Sequence, residues 1–255
     1  MKTETAIERP LDEIVIRQRH PAKYSDVLLP VFIKALEGHG KILDPFAGTG
    51  KLRMIRPDAF LLEIEPEWAA ISGATVGDAL AMPWEDGTFD AVCTSPTYGN
   101  RMADHFTDHQ KDKNYTRNTY RHALGRPLTK NNSGGMQWGD KYREFHEKAW
   151  IEVWRVLQPG GKFILNVSDH IRKGIVQEVT KWHKETAEKI GFVFVENIEV
   201  KTQRQRQGRN GEKRVNCENV MIFSKLYNVE ISGVLHVRWS DLLGENHEWR
   251  SYAFK

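Results

Sequence analysis

Two segments fifty residues apart hold residue types and spacings from which chemistry can be built: DPFAGTG, Asp44–Gly50, and TSPTYG, Thr94–Gly99. In the first, Lys41, Ile42 and Leu43 lead into Asp44, and Gly48 and Gly50 permit a close ligand approach that a Cβ would block. This is a strand entering a ligand-hugging turn. The next apolar run, AFLLEIE, carries Glu63 nineteen residues beyond Asp44. In a doubly wound sheet that spacing sets a carboxylate at the carboxyl end of the second strand, where it can accept both hydroxyls of a ribose. The pattern implies nucleoside binding without phosphate binding. A Walker loop needs a glycine where Pro45 stands and Ser or Thr where Leu52 stands. A dinucleotide fingerprint needs a third glycine at Arg53, and Asp44 would repel a pyrophosphate. ATP hydrolysis and hydride transfer are therefore disfavoured. An acid at this turn suits a cationic ligand end, such as the amino group and sulfonium of S-adenosylmethionine.

At these residues the chain resembles the class I S-adenosylmethionine-dependent methyltransferases, and within them the DNA amino-methyltransferases. Their cofactor motif, D-x-F-x-G-x-G, is matched position for position by DPFAGTG. Glu63 in LLEIEPEW, Asp78 in VGDAL and the turn RVLQPGGKFIL, Arg155–Leu165, follow in the family's order, and the similarity covers about residues 20–170. The resemblance implies a cofactor site made by Asp44, Phe46, Gly48, Gly50, Glu63, Asp78 and Ala79. In it Glu63 would bind the ribose, while Asp78 and Ala79 would meet the adenine amine and ring. HPAKYSD resembles the accessory cofactor segment, with His20, Pro21 and Lys23 as candidate neighbours of the methionine end.

The second segment bears on the substrate. FDAVCTSP reads as a buried strand, so Ser95, Pro96, Thr97 and Tyr98 fall at its carboxyl end, where ligands of such sheets bind. The amino-methyltransferases carry [D/N/S]-P-P-[Y/F/W] here. An aromatic amine is a weak nucleophile because its lone pair is delocalised into the ring. The Ser95 side chain and Pro96 carbonyl can accept its hydrogens and favour a tetrahedral nitrogen. Tyr98 can stack on a base flipped from the helix, after which transfer needs positioning more than covalent chemistry. Thr97 stands where the family has a second proline, which removes a stiffening element from the loop. Serine at the first motif position resembles the cytosine-N4 subgroup, with adenine N6 as the alternative.

Other chemistries fit less well. Cytosine-C5 transfer needs a nucleophilic cysteine after a proline, whereas Cys93 precedes the loop on a buried strand and Cys217 is remote. His105 and His109, flanked by Asp104 and Asp108, have the spacing of a helical metal pair, yet no third ligand has motif-like spacing, and no metal is expected.

The elements that must position these loops are legible in part. Tyr24, Val27, Leu28, Val31, Phe32 and Leu36 predict a helix within His20–Gly38. Tyr142, Phe145, Ala149, Val153, Val156 and Leu157 predict another, ended by Pro159, Gly160 and Gly161, with FILNVSDH as the next strand. Asn166 and Asp169 near that strand's end receive no role. A helix over about 175–190 precedes the strands FVFVENIEV and NVMIFSK. The resemblance implies an α/β fold: a Rossmann-like, doubly wound, seven-stranded sheet with a terminal antiparallel strand. At 255 residues and 40% hydrophobic, the chain suffices for one such domain, residues 1–255, with residues 226–255 an extension that the pattern does not place.

Charge is segregated. Residues 43–99 hold nine acids and three bases, whereas residues 111–130 and 201–214 each hold six bases and one acid. This pattern suits polyanion contact by loops around an acidic cofactor cleft. Residues 100–139 show no helical or strand period yet carry Arg117, Arg121 and Trp138, side chains suited to gripping phosphates and stacking on bases. They read as an inserted lid or target-recognition segment, and Arg204 and Arg206, in a hairpin loop at the sheet edge, as further substrate contacts. Two cysteines and no long apolar run argue against a disulfide framework or a membrane span, so a cytoplasmic chain, monomeric or homodimeric, is expected. The expected activity is amino-methylation of DNA with S-adenosylmethionine. An RNA base-amine methyltransferase, or a non-catalytic cofactor-binding or nucleic-acid-binding protein, stands as the alternative.

Overall fold

The computed structural model describes residues 24–99, 120–172, 174–202 and 215–227, and the backbone of three short strands beyond them. Arg117, Arg204, Arg206, the side chain of Arg121, the His20–Lys23 segment and the His105/His109 pair lie outside the described residues, as does most of 226–255. Seven strands form one sheet: β1 (Ile42–Asp44), β2 (Phe60–Glu63), β3 (Thr75–Val76), β4 (Phe89–Thr94), β5 (Leu157–Val167), β8 (Val193–Lys201) and β9 (Cys217–Ser224). Their order is β3-β2-β1-β4-β5-β9-β8, parallel throughout except for β9, which runs antiparallel between β5 and β8. This is the expected Rossmann-like sheet, with the last strand antiparallel. β6 (His170–Arg172) and β7 (Ile175–Gln177) form a separate hairpin, and β10 (Val229–Ile231), β11 (Val234–Val237) and β12 (Arg250–Tyr252) a small antiparallel sheet within the segment that the sequence left unplaced.

Because successive strand residues face opposite sides, the apolar runs feed two cores at once. On one face Leu43, Leu62, Val92, Phe163, Leu165, Met221 and Phe223 pack with Phe145, Trp150 and Val153 of α4 (Asp140–Val156) and Ala187 of α5 (Val179–Ile190). On the other, Ile42, Leu61, Ala91, Ile164, Val220 and Ile222 pack with Phe32 and Ala35 of α1 (Leu29–Ala35). A sheet covered on both faces explains why these strands read as continuous apolar runs.

Three boundaries differ from the sequence reading. β5 begins at Leu157 and includes Pro159, Gly160 and Gly161, because Gly160 N donates to Lys225 O and Lys225 N to Gly161 O, extending the ladder past the expected turn. α5 starts at Val179, since Ile175–Gln177 pairs with His170–Arg172 instead. Within the segment read as lacking period, Tyr120–Leu124 forms a one-turn helix, α3, too short to show periodicity. The remaining helix, α2 (Pro66–Ser72), starts with proline in its first turn and stops at Gly73, a left-handed C-cap.

Strand order reverses between β1 and β4, so the crevice for a ligand opens at their carboxyl ends. DPFAGTG leaves β1 there and SPTY leaves β4.

Candidate active site

The two loops meet through Asp44. Its Oδ1 accepts the Phe46 amide (3.1 Å) and the Thr94 hydroxyl (2.6 Å), joining residues on adjacent strands. Asp44 is buried, and that burial lifts its carboxyl to about 6 against the two hydrogen bonds, which pull it down. The turn beyond it is closed from within: Gly48 N donates to Glu63 Oε2 (2.8 Å) and Gly50 N to Ala47 O (2.8 Å). With these two amides turned inward, the loop does not present them to a phosphate. Gly50 has φ +77°, and a Cβ there would lie 2.7 Å from Ser72 Cβ, so only glycine lets the turn pack on α2.

Glu63 ends β2. Its second oxygen accepts the Glu65 amide (2.9 Å), and burial raises its carboxyl to about 7 despite both amide bonds. A carboxylate offers about four acceptor positions, so two remain for ligand hydroxyls. Asp78, after β3, accepts Leu80 N (2.9 Å) and the Asn131 side chain (2.8 Å).

A pocket opens between these groups and the SPTY loop. Phe46, Gly48, Glu63, Asp78 and Ala79 line one part of it, with Tyr24, Lys51 and Trp68; Ser95, Pro96, Thr97 and Tyr98 line another, with Tyr120, Asn132, Ser133 and Glu218. Asp44 and Gly50, both placed at the ligand by the sequence reading, are not among its lining residues: one ties the loops together behind the wall and the other packs beneath it. Trp138 is not in the lining either. Its indole lies 5.2 Å from the Tyr142 ring and 5.8 Å from Trp182, with the Arg143 guanidinium over it, and its amide donates to Gly99 O. It pins the end of the SPTY loop.

Without the second proline, the SPTY loop is held by hydrogen bonds. The Thr97 hydroxyl donates to Ser133 O (3.1 Å), and the Tyr142 hydroxyl donates to Thr97 O (2.5 Å). Behind Tyr142 stands His183, fully buried, with Nε2 3.0 Å from that hydroxyl and Nδ1 accepting from Trp150 Nε1 (3.0 Å). This pattern assigns the Nε2–H tautomer, and burial keeps the ring neutral by lowering its affinity for a proton. Tyr142→Phe would leave Thr97 O and the His183 N–H without this partner. We expect a loss of about 1–3 kcal/mol in denaturant-measured stability; an unchanged midpoint and slope would mean that the chain carries no load.

A second strap crosses the Glu63 side of the pocket. Glu65, fully buried, accepts from Arg126 (2.6 Å), Thr129 N (2.8 Å), Thr129 Oγ1 (2.9 Å) and Asn132 Nδ2 (2.6 Å), fixing residues 126–132 over the β2–α2 turn. The sequence reading missed Glu65, Ser133 and Glu218 and gave Asn166 no role. Asn166 and Glu218 come from β5 and β9 and meet Ser95 and Tyr98. Cys93 is buried in the apolar core, which pushes its thiol up and disfavours a thiolate.

No protein-family model and no curated protein matches the chain. Among solved structures it is similar to a SAM-dependent methyltransferase from Methanosarcina mazei (13% identity, 77% of this chain and 97% of that one, TM-score 0.49). It is also similar to the cyclase SpnF (14% identity, 78% and 81%, TM-score 0.49) and to the PH0226 protein from Pyrococcus horikoshii OT3 (15% identity, 78% and 88%, TM-score 0.48). Strand order and direction define the fold, and the residues of the site define its chemistry.

Proposed function

We propose that this chain is a methyltransferase that modifies an exocyclic amine of a DNA base, cytosine N4 before adenine N6, using S-adenosylmethionine. The observation carrying this reading is that Ser95, Pro96, Thr97 and Tyr98 share one pocket with Glu63, Asp78 and Ala79. The cofactor suits the walls on chemical grounds. Glu63 and Asp78 offer acceptors to ribose hydroxyls and an adenine amine, Phe46 and Ala79 offer apolar surface, and the inward-turned glycine amides favour a nucleoside without phosphates. When bound, S-adenosylmethionine supplies a methyl group on a sulfonium.

The chain's own residues do the rest. Ser95 Oγ and the Pro96 carbonyl accept the amine's hydrogens, directing its lone pair out of the ring plane. Tyr98 offers its ring to the flipped base while its hydroxyl is tethered to Glu218 (2.7 Å). The segment 100–139 serves target capture and closure, and the basic stretch 201–214 backbone contact, with Arg117, Arg121, Arg204 and Arg206 on phosphates.

The test is incubation with labelled S-adenosylmethionine and separate pools of unmodified DNA and RNA, followed by nucleoside mass spectrometry. Methylcytosine or methyladenine in DNA supports the reading, label in RNA alone transfers it to an RNA base amine, and no label in either refutes it. Tyr98→Ala removes base stacking worth about 1–3 kcal/mol. Substrate affinity is then expected to fall by about 5- to 150-fold while cofactor titration is unaltered; wild-type affinity and turnover would remove Tyr98 from the substrate site.

A further inference from the structure

A serine hydroxyl both donates and accepts hydrogen bonds, whereas a base amine approaching Ser95 needs an acceptor. Glu218 supplies the missing direction. It stands near the start of β9, on the sheet face that carries Val220 and Ile222, and Asn166 follows Ile164 on the same face of β5. Glu218 is 8% exposed and lines the pocket. Its Oε2 accepts the Tyr98 hydroxyl (2.7 Å) and Asn166 Nδ2 (3.0 Å). Ser95 Oγ lies 2.9 Å from Tyr98 Oη and 3.1 Å from Asn166 Nδ2.

Glu218 Oε2 is the acceptor in both contacts. Tyr98 therefore commits its single proton to Glu218 and meets Ser95 as an acceptor, so the Ser95 proton points toward Tyr98. Asn166 Nδ2 lies 3.1 Å from Ser95 Oγ, 2.9 Å from Tyr98 Oη and 3.0 Å from Glu218 Oε2, so its two hydrogens are shared among three oxygens and take at most one lone pair of Ser95 Oγ, leaving at least one for the pocket. The serine is thereby fixed in the acceptor role that an aspartate at the first motif position would have by its charge.

Resting on the base-amine reading, we propose that Glu218 orients a Ser95–Tyr98–Glu218 hydrogen-bond chain that presents Ser95 as acceptor to the target amine and receives the proton this amine releases. The methylated, cationic nitrogen carries one proton more than the neutral product. That proton passes to Ser95 Oγ as the Ser95 proton moves to Tyr98 Oη and the Tyr98 proton to Glu218 Oε2. Each O–H bond broken is replaced by one formed, and Glu218 ends protonated, to be discharged to water after product release. Glu218 is a positioning residue for Ser95 and the terminal proton acceptor.

Glu218→Gln separates this role from simple anchoring, because the amide oxygen still accepts the Tyr98 hydroxyl but is far less basic. The expected result is a fall in kcat of about a hundredfold, with KM for nucleic acid and for S-adenosylmethionine within about twofold of wild type. Binding of S-adenosylhomocysteine by calorimetry is expected to be unchanged, and Glu218→Asp to restore part of kcat. Tyr98→Phe keeps the ring and deletes the relaying oxygen; Glu218→Gln is expected to add no further kcat loss in that background, as for residues acting as a unit. Wild-type kcat in Glu218→Gln, a loss confined to KM, or additive losses in the double variant overturn the relay while wild-type methylation leaves the base-amine reading standing. A wild-type protein that methylates no base amine overturns that reading and the relay with it.

Discussion

Asp44→Ala is expected to weaken S-adenosylhomocysteine binding by at least about a hundredfold, or about 3 kcal/mol, in a chain whose far-ultraviolet circular dichroism is that of the wild type. The reason is the position of Asp44 behind the wall. One carboxylate oxygen holds the Phe46 amide and the Thr94 hydroxyl, so the residue couples the turn after β1 to the strand that delivers SPTY. Its removal strips both donors of this partner, at about 1–3 kcal/mol for each buried group left unsatisfied, and takes away a carboxylate charge from behind the pocket wall. Asp44→Asn distinguishes the two contributions: the amide oxygen keeps the geometry and loses the charge. If affinity returns with asparagine, Asp44 acts by holding the loops. If asparagine and alanine lose alike, charge dominates, and a wild-type titration with alanine would remove Asp44 from any part in binding.

What the sequence disclosed about the site was what local chain geometry determines. A glycine turn directly after a short apolar run, and an acid at the end of the next run, fix where DPFAGTG and Glu63 stand relative to strand ends, and both do stand there. The loops' partners were not legible, because they come from remote positions with no pattern of their own. Glu218 is 120 residues from Tyr98, Asn166 71 from Ser95, and His183 41 from Tyr142. Glu218 arrives by the insertion of β9 beside β5, Asn166 by the pairing of β5 with β4, and His183 by the packing of α5 on α4. Thr97 shows the same limit from the other side. Its sequence signals a lost proline, whereas the stiffness has passed to Tyr142 and Ser133, one reaching the Thr97 carbonyl and the other its hydroxyl. The strap built on Glu65 was hidden because its four donors lie 61–67 residues downstream, in a stretch without period.

Burial of Glu63 and Asp44 predicts a second large effect, on pH dependence. Glu63 is raised from 4.5 to about 7, and Asp44 from 3.8 to about 6, in both cases chiefly by desolvation. A carboxyl raised on folding binds its proton more tightly in the folded chain. Its contribution to stability is therefore full below the unfolded value and is lost as pH rises through the folded one. For Glu63 this window runs from 4.5 to about 7, and the shift corresponds to about 3 kcal/mol. The ligand-free protein is thus expected to melt at progressively lower temperature from pH 5 to pH 7.5. Ligand binding has the opposite slope. A cationic nucleoside whose hydroxyls need acceptors selects the ionised Glu63, so below pH 7 binding must expel a proton, and affinity is expected to fall by up to about tenfold per pH unit. Calorimetry in two buffers of different ionisation enthalpy should record close to one proton released at pH 6 and almost none at pH 8. Glu63→Gln should abolish that difference, which separates the effect from titration of the ligand itself. Equal proton release by wild type and Glu63→Gln at pH 6 would show that ligand binding leaves the protonation of Glu63 unchanged, and would overturn this linkage.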